Sequence, residues 1–109
     1  MKESIPTKLQ ETLNKLHYSS RRVAMELTAY SIRDNIFSLD FIDGHLDDVI
    51  FDLGEENCLS LNEICQQLLE LNIIYINQSI EKSQTPKFDL NLSLNQEYLE
   101  ILTEELESL

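Results

Sequence analysis

The residues best suited to chemistry lie between 40 and 56, in the stretch DFIDGHLDDVIFDLGEE. On a helix, His45, Asp48 and Asp52 share one face, because residues three, four and seven apart are neighbours there. An imidazole beside two carboxylates is a donor set for a divalent metal ion. The stretch does not fit a calcium-binding EF-hand loop, because aligning Gly44 with the loop's conserved glycine puts Leu39 at the first ligand position. A solvated acidic face is therefore the preferred interpretation, with a metal site as the alternative.

The remaining candidate nucleophiles and bases lack partners in sequence. Cys58 and Cys65 have no second Cys or His pair with zinc-ligand spacing. His17 precedes two arginines, but a histidine phosphotransfer motif needs Lys three residues after the His, where this chain has Ser20. No glycine-rich phosphate loop and no Ser-His-Asp or Cys-His arrangement is indicated. We therefore expect no enzyme activity, no catalytic residues, no bound metal and no cofactor.

The charge distribution indicates what kind of partner the chain binds. The net charge is −12, and residues 34–109 contain two basic and seventeen acidic groups. Such a region repels phosphate backbones, which argues against direct nucleic-acid binding and against a helix-turn-helix at 60–83. We expect a protein partner with a basic surface. The predicted contact residues are the acids of 40–56, namely Asp40, Asp43, Asp47, Asp48, Asp52, Glu55 and Glu56.

Apolar spacing at the start of the chain predicts one long helix from about Thr7 to about Asn35. Its apolar residues recur at alternating steps of three and four, with Ser20 filling the one gap, which is typical of a coiled-coil seam. The Ser19–Ser20 pair is its weakest point, and a bend there is the alternative to one straight helix. The helix is longer than the others, so part of the seam should remain uncovered and self-associate. The predicted homodimer contacts are Leu9, Leu13, Leu16, Val23, Leu27 and Tyr30.

A second helix is predicted over Leu39–Leu53, with Ser38 at its start and Gly54 at its end. Gly44 disfavours helix within it, so two shorter pieces are the alternative. The tetrapeptide Leu-Ser-Leu-Asn then occurs twice, at 59–62 and at 92–95. Each copy has Glu or Gln three residues after the serine, which is the capping-box pattern. The two copies therefore predict two helix starts.

The third helix is predicted from Leu61 to about Lys82 and the fourth from Leu94 to about Leu106. The third is apolar on most sides, so we expect it to be the central element. Between them, Pro86 and the alternating Phe88, Leu90 and Leu92 predict an extended segment.

Together these elements predict an all-α fold, an irregular four-helix bundle with long first and third helices. We expect one helical domain over 1–109, assembled as a dimer. No apolar run has membrane-spanning length and the first residues lack a signal peptide's apolar core, so we expect a cytoplasmic protein that does not bind membranes.

Two classes of function fit these features. The first is a non-enzymatic acidic helical protein–protein interaction module, such as an adaptor, a small subunit or a chaperone-like helper. The second is an inhibitor or immunity-type protein whose acidic 40–56 segment mimics nucleic acid and blocks a basic cleft of a nucleic-acid-binding target. The two differ in their expected response to salt, which weakens binding by carboxylates more than binding by apolar contacts.

Overall fold

The computed structural model describes residues 7–76 and 91–108. The protein is mostly helical, which confirms the predicted class in its main feature, and a small two-stranded sheet accompanies the helices. In chain order the α-helices and strands are α1 (Thr7–Leu13), α2 (Tyr18–Ser31), α3 (Leu39–Leu53), α4 (Leu61–Glu70), β1 (Ile74–Ile76), β2 (Leu92–Leu94) and α5 (Leu99–Glu107). Single 3₁₀ turns cover Glu55–Asn57 and Gln96–Tyr98.

The first helix is two helices, so the prediction of one long element was wrong. The chain leaves α1 after Leu13 and enters α2 at Tyr18, where the His17 side chain accepts a hydrogen bond from the Ser19 amide. Gln67 of α4 stabilises this turn, since its Oε1 accepts from the His17 amide at 3.0 Å and from the Ser20 hydroxyl at 2.8 Å. The break therefore depends on a residue 47 or more positions away.

α2 lies at the centre of the molecule and packs against α3, α4, α5 and β2. The predicted central element, the third helix, is therefore not the central one among the described residues. Four of the buried residues of α2 are Ser or Thr, and the hydroxyls of two of them bond within the helix. Thr28 donates to the Met25 carbonyl and Ser31 to the Thr28 carbonyl. The buried residues of α2 are Ser19, Ser20, Val23, Ala24, Met25, Leu27, Thr28 and Ser31.

α3 has the predicted bounds. The Ser38 side chain accepts from the Phe41 amide at 3.1 Å, and Gly54 ends the helix with φ 98°, a conformation that favours glycine. Gly44 does not interrupt the helix. The side chains of Ile42, Leu46 and Val49 are buried, which directs the opposite side of α3 to the surface.

α4 begins with the predicted capping box but ends earlier than predicted. Ser60 accepts from the Glu63 amide, and the Glu63 carboxylate accepts from the Ser60 amide. The helix stops at Glu70 because Asn72 is left-handed, with φ 60°. The amides of Asn72 and Ile73 then bond back to the carbonyls of Leu69 and Leu68, which is a Schellman motif. The predicted continuation through 71–76 was wrong, and 77–82 lies outside the described residues.

β1 replaces part of the predicted third helix, and β2 takes the first residue of the predicted fourth helix. β1 pairs antiparallel with β2, so that Ile74 faces Leu94 and Ile76 faces Leu92, and Phe37 forms a bridge on the other side of Leu92. The fourth helix therefore does not begin at Leu94; its α-helical part begins at Leu99. Leu92 is extended as predicted, while the predicted positions Phe88 and Leu90 lie outside the described residues.

One hydrophobic cluster joins the described elements. Its fully buried members come from all five α-helices and both strands, so the sheet contributes to the core together with the helices. The largest fully buried side chains include Leu13, Leu27, Ile42, Ile64, Leu68, Ile73, Ile74, Leu92, Leu94 and Leu102.

Candidate functional site

The exposed side of α3 is almost entirely acidic. Burial of Ile42, Leu46 and Val49 fixes the rotation of the helix about its axis. Five of the seven exposed residues are aspartates, and the other two are Gly44 and Phe51. The exposed aspartates are Asp40, Asp43, Asp47, Asp48 and Asp52.

Glu55 and Glu56 extend this surface beyond the end of α3. Both lie in the 3₁₀ turn that follows Gly54, and both are exposed. The seven acidic residues selected from the sequence are thus all at the surface, on one helix and the turn after it. We call these seven the acidic face: Asp40, Asp43, Asp47, Asp48, Asp52, Glu55 and Glu56.

Phe51 is the most exposed of the large apolar residues in the described part of the chain, with 89% of its surface accessible. On α3 it lies one turn after Asp47 and Asp48, and so between carboxylates. Sequence reasoning missed it because the candidate residues of 40–56 were all acidic or metal-ligating. The information was available, since Phe51 falls outside the stripe that contains Leu46, Val49 and Leu53.

Little of the acidic face is neutralised within the described residues. Arg22 of α2 contacts it once, with Nη2 at 3.0 Å from Asp52 Oδ2. Arg21 points instead to α5, where its Nε donates to Glu105 Oε1 at 2.9 Å. The hydrogen bond with Glu105 raises the pKa of Arg21 above its usual value. The remaining negative charge of the face is therefore available to water or to a partner.

A second feature lies where α3 meets α2. The side chains of Glu26, His45 and Asp48 bring one ligand atom each to within 4.8 Å of one another, and His45 Nδ1 is 3.1 Å from Glu26 Oε1. His45 and Asp48 belong to the set predicted from the sequence. The third predicted member, Asp52, pairs with Arg22 instead. Glu26 was missed because it approaches from a different helix, 19 residues earlier.

Aromatic rings hold His45 in place. The ring of Tyr30 lies 5.2 Å from the imidazole, centroid to centroid, and that of Phe41 lies at 4.9 Å. Tyr30 and Phe41 also contact each other edge to face. Beside them is an open groove of about 610 Å³, lined by Ala29, Tyr30, Arg33, Asp34, Ile36, Phe37 and Phe41.

The other candidate residues have structural roles. His17 caps α2, and its Nδ1 also lies 2.8 Å from the Ser19 hydroxyl. Both cysteines are free, and desolvation by burial raises the pKa of the Cys65 thiol, which disfavours the nucleophilic thiolate. β1 lies within 60–83, the segment considered for a helix-turn-helix, so residues 74–76 of that segment form a strand and not part of a second helix.

The six residues predicted to mediate self-association lie largely inside the chain. Leu13, Leu16, Val23 and Leu27 are buried in the core, Leu9 is half-buried against it, and Tyr30 is exposed. In this conformation the four buried leucine and valine side chains are not available to a second copy. Their heptad spacing is explained by packing against the chain's own helices and sheet.

No protein-family model, curated protein or solved structure matches this chain in the comparisons made. Among the described helices, none combines the length and the apolar character needed to cross a bilayer.

Proposed function

We propose that the protein is a non-enzymatic interaction module that binds a basic protein surface through the acidic face, with Phe51 as an apolar anchor. The observation that carries this proposal is the composition of the exposed side of α3, where every residue except Gly44 is an aspartate or Phe51. A helix that served only to cover the core would not require this composition. A mixture of charges would solvate it equally well.

The two kinds of residue contribute differently to binding. Carboxylates on one surface attract a basic partner from a distance and set its orientation, an effect that salt screens. An aromatic side chain in the middle of an interface supplies buried area and slows dissociation. Phe51 lies beside Asp47 and Asp48, so the partner should present Lys or Arg around an apolar pocket. Adaptors, small subunits and chaperone-like helpers all use surfaces of this kind.

The inhibitor that mimics nucleic acid remains the second candidate. The observation in its favour is the row of exposed aspartates along a single helix, with one arginine contact at Asp52. A mimic of this kind depends on the carboxylates, while the interaction module depends on Phe51 as well. The two candidates therefore differ most in the expected effect of Phe51→Ala.

The test is affinity capture with variants of the full chain. One variant is Phe51→Ala; the other combines Asp40→Asn, Asp43→Asn and Asp47→Asn, which avoids Asp48 and the Arg22 partner Asp52. A specific partner should be recovered by the wild type and lost with both variants, and its purified complex should weaken as salt rises. Loss with the Asn variant alone would support the inhibitor. Recovery of the same proteins by all forms would overturn both.

Matched controls make the same kinds of substitution at exposed residues outside the acidic face. Tyr75→Ala removes another exposed aromatic, and Glu11→Gln with Glu70→Gln and Glu104→Gln removes three exposed charges outside the acidic face. Both controls should retain the partner. Equal loss with the charge control would show that only the net charge of −12 matters.

The homodimer predicted from the sequence stays a prediction. Of its six residues only Tyr30 is exposed, so a dimer in this conformation would use other surfaces, including Ile32 and Ile36 at the end of α2 and in the loop that follows. Sedimentation over a range of micromolar concentrations tests it. A mass of 12.7 kDa throughout that range would exclude self-association there.

A further inference from the structure

We propose that Glu26, His45 and Asp48 bind a divalent transition-metal ion such as Zn²⁺, Co²⁺ or Ni²⁺. The three residues come from two packed helices, Glu26 from α2 and the other two from α3. Their ligand atoms already lie within 4.8 Å of one another. This proposal does not depend on the function proposed above, although Asp48 also belongs to the acidic face.

The geometry requires little movement to accept an ion. Zinc ligands lie about 2.0–2.2 Å from the metal, so neighbouring ligand atoms are separated by roughly 3–3.5 Å. His45 Nδ1 and Glu26 Oε1 are 3.1 Å apart, which is within that range. Asp48 is exposed and follows His45 by one turn, so a rotation of its side chain brings the third oxygen to the same point.

The two inner ligands are held in place before an ion arrives. The side chains of Glu26 and His45 are about four-fifths buried, with 19% and 16% exposed. Tyr30 and Phe41 flank the imidazole, which limits its rotation. A preformed pair of this kind distinguishes the cluster from the other aspartates of α3, which are exposed side chains on a single helix.

The donor set determines which ions fit. One imidazole nitrogen and two carboxylate oxygens suit zinc and its neighbours, while calcium prefers six to eight oxygen ligands. A divalent ion would balance the two carboxylates. Arg22 Nη2 lies 4.0 Å from the second carboxylate oxygen of Glu26, Oε2, and 3.0 Å from Asp52 Oδ2, so Arg22 can stay with Asp52 when the ion binds. Binding through Nδ1 leaves the His45 proton on Nε2.

The test is calorimetric titration of the metal-free full chain with Zn²⁺ and, separately, with Ca²⁺. We expect saturable binding of one Zn²⁺ per chain and much weaker binding of Ca²⁺. His45→Gln, Glu26→Gln and Asp48→Asn should each weaken Zn²⁺ binding by at least about tenfold, the size of effect seen even for residues that only orient metal ligands. Asp48 is exposed, so the Asp48→Asn variant should fold normally. It therefore keeps the test decisive even if the Glu26→Gln and His45→Gln variants fail to fold.

The matched controls are His17→Asn, which changes the other histidine but keeps a good N-cap residue for α2, and Asp43→Asn, which removes an exposed aspartate outside the cluster. Both should bind Zn²⁺ as the wild type does. Absorption spectra with Co²⁺ should show ligand-field bands that disappear with His45→Gln. Absence of saturable Zn²⁺ binding by the wild type, or equal weakening by Asp43→Asn, would overturn the proposal.

Discussion

The two copies of Leu-Ser-Leu-Asn have the same four residues and different structures. In the first copy, Ser60 is the N-cap of α4 and Leu61 is the first residue of the helix. In the second copy, the first three residues form β2 and Asn95 caps the 3₁₀ turn that follows. The helical turn thus begins two residues later in the second copy, and it begins as a 3₁₀ turn and not as an α-helix. A capping pattern predicts a helix start only where the same backbone segment does not form more stabilising interactions in another conformation.

The surroundings of each copy explain the difference. The first copy finds its partners locally, because the Ser60 and Glu63 bonds span three residues and are exposed. The second finds them far away in sequence: the Leu92 amide donates to the Phe37 carbonyl at 2.8 Å. Leu92 and Leu94 are also fully buried. A cap contributes about 0.5–2 kcal/mol, whereas burying one leucine contributes about 1.5–3 kcal/mol and two are buried here.

The largest difference between the copies should appear at their third residue. Leu94→Ala removes a side chain that is 0% exposed and should lower the free energy of unfolding by about 2–5 kcal/mol. Leu61→Ala removes a half-buried side chain and should cost less than half as much. Urea unfolding followed by circular dichroism measures both. Equal losses would show that the second copy packs no more tightly than the first.

The serines should differ next. Ser93 is 1% exposed and its hydroxyl donates to the Asn35 carbonyl at 2.6 Å, so Ser93→Ala should cost about 1–3 kcal/mol. Ser60→Ala should cost about 0.5–2 kcal/mol through loss of the cap. Sequence reasoning assigns both serines to caps and ranks Ser60→Ala as the more damaging change, because it expects the helix of Ser60 to be the more buried one. Ser60→Asp keeps a cap and serves as the control; thermal melts in which Ser60→Ala is the more damaging change would restore that ranking.

How much of the fold the sequence predicts depends on how local its determinants are. α3 was predicted with correct bounds because Ser38, Gly54 and the apolar period lie within the element itself. The break before α2 was missed because Gln67, a residue of α4, stabilises it. The end of α4 was missed although Asn72 and the following β-branched residues indicate a stop and a strand.

The same distinction applies to the candidate site. The exposure of the five aspartates of the acidic face followed from the period of α3 alone, so it could be predicted. The contact between Glu26 and His45 depends on how α2 packs against α3. The spacing of residues within α3 contains no information about that packing. Phe51 could also have been predicted, because a helical projection of α3 places it among the aspartates, but it was not among the candidate residues.

The asparagines should give a smaller difference. Asn95 Oδ1 accepts from the Glu97 amide at 3.1 Å, and its Nδ2 donates to the Asn72 carbonyl at 2.8 Å. Asn95→Ala should therefore lower the free energy of unfolding by about 1–2 kcal/mol, as for other N-caps. Asn62 is exposed within α4, and Asn62→Ala should change stability by no more than about 0.5 kcal/mol. Chemical denaturation of the pair measures the difference, and a larger loss for Asn62 would contradict the assignment of the cap to Asn95.

The smallest effect is expected when the two copies are made more alike. Gln96→Glu turns the second copy into Leu-Ser-Leu-Asn-Glu, the sequence at 59–63. We expect β2 to persist and stability to change by no more than about 0.5 kcal/mol, the usual range for a surface substitution. The Ser93 hydroxyl is already bonded to Asn35, and a helix beginning at Leu94 would break the pairing with Ile74.

Hydrogen exchange at the Leu92 amide reads out this last prediction directly, because that amide is bonded to Phe37 only while the second copy is extended. Glu63→Gln is the reciprocal control: it gives the first copy the sequence of the second, and α4 should still begin at Leu61 because Gln also forms capping boxes. Faster exchange at Leu92 together with a gain of helical circular dichroism in Gln96→Glu would mean that a single carboxylate decides between the two structures. Unchanged protection would mean that the distant partners Phe37 and Asn35 decide, and that the local sequence of the second copy is compatible with either structure.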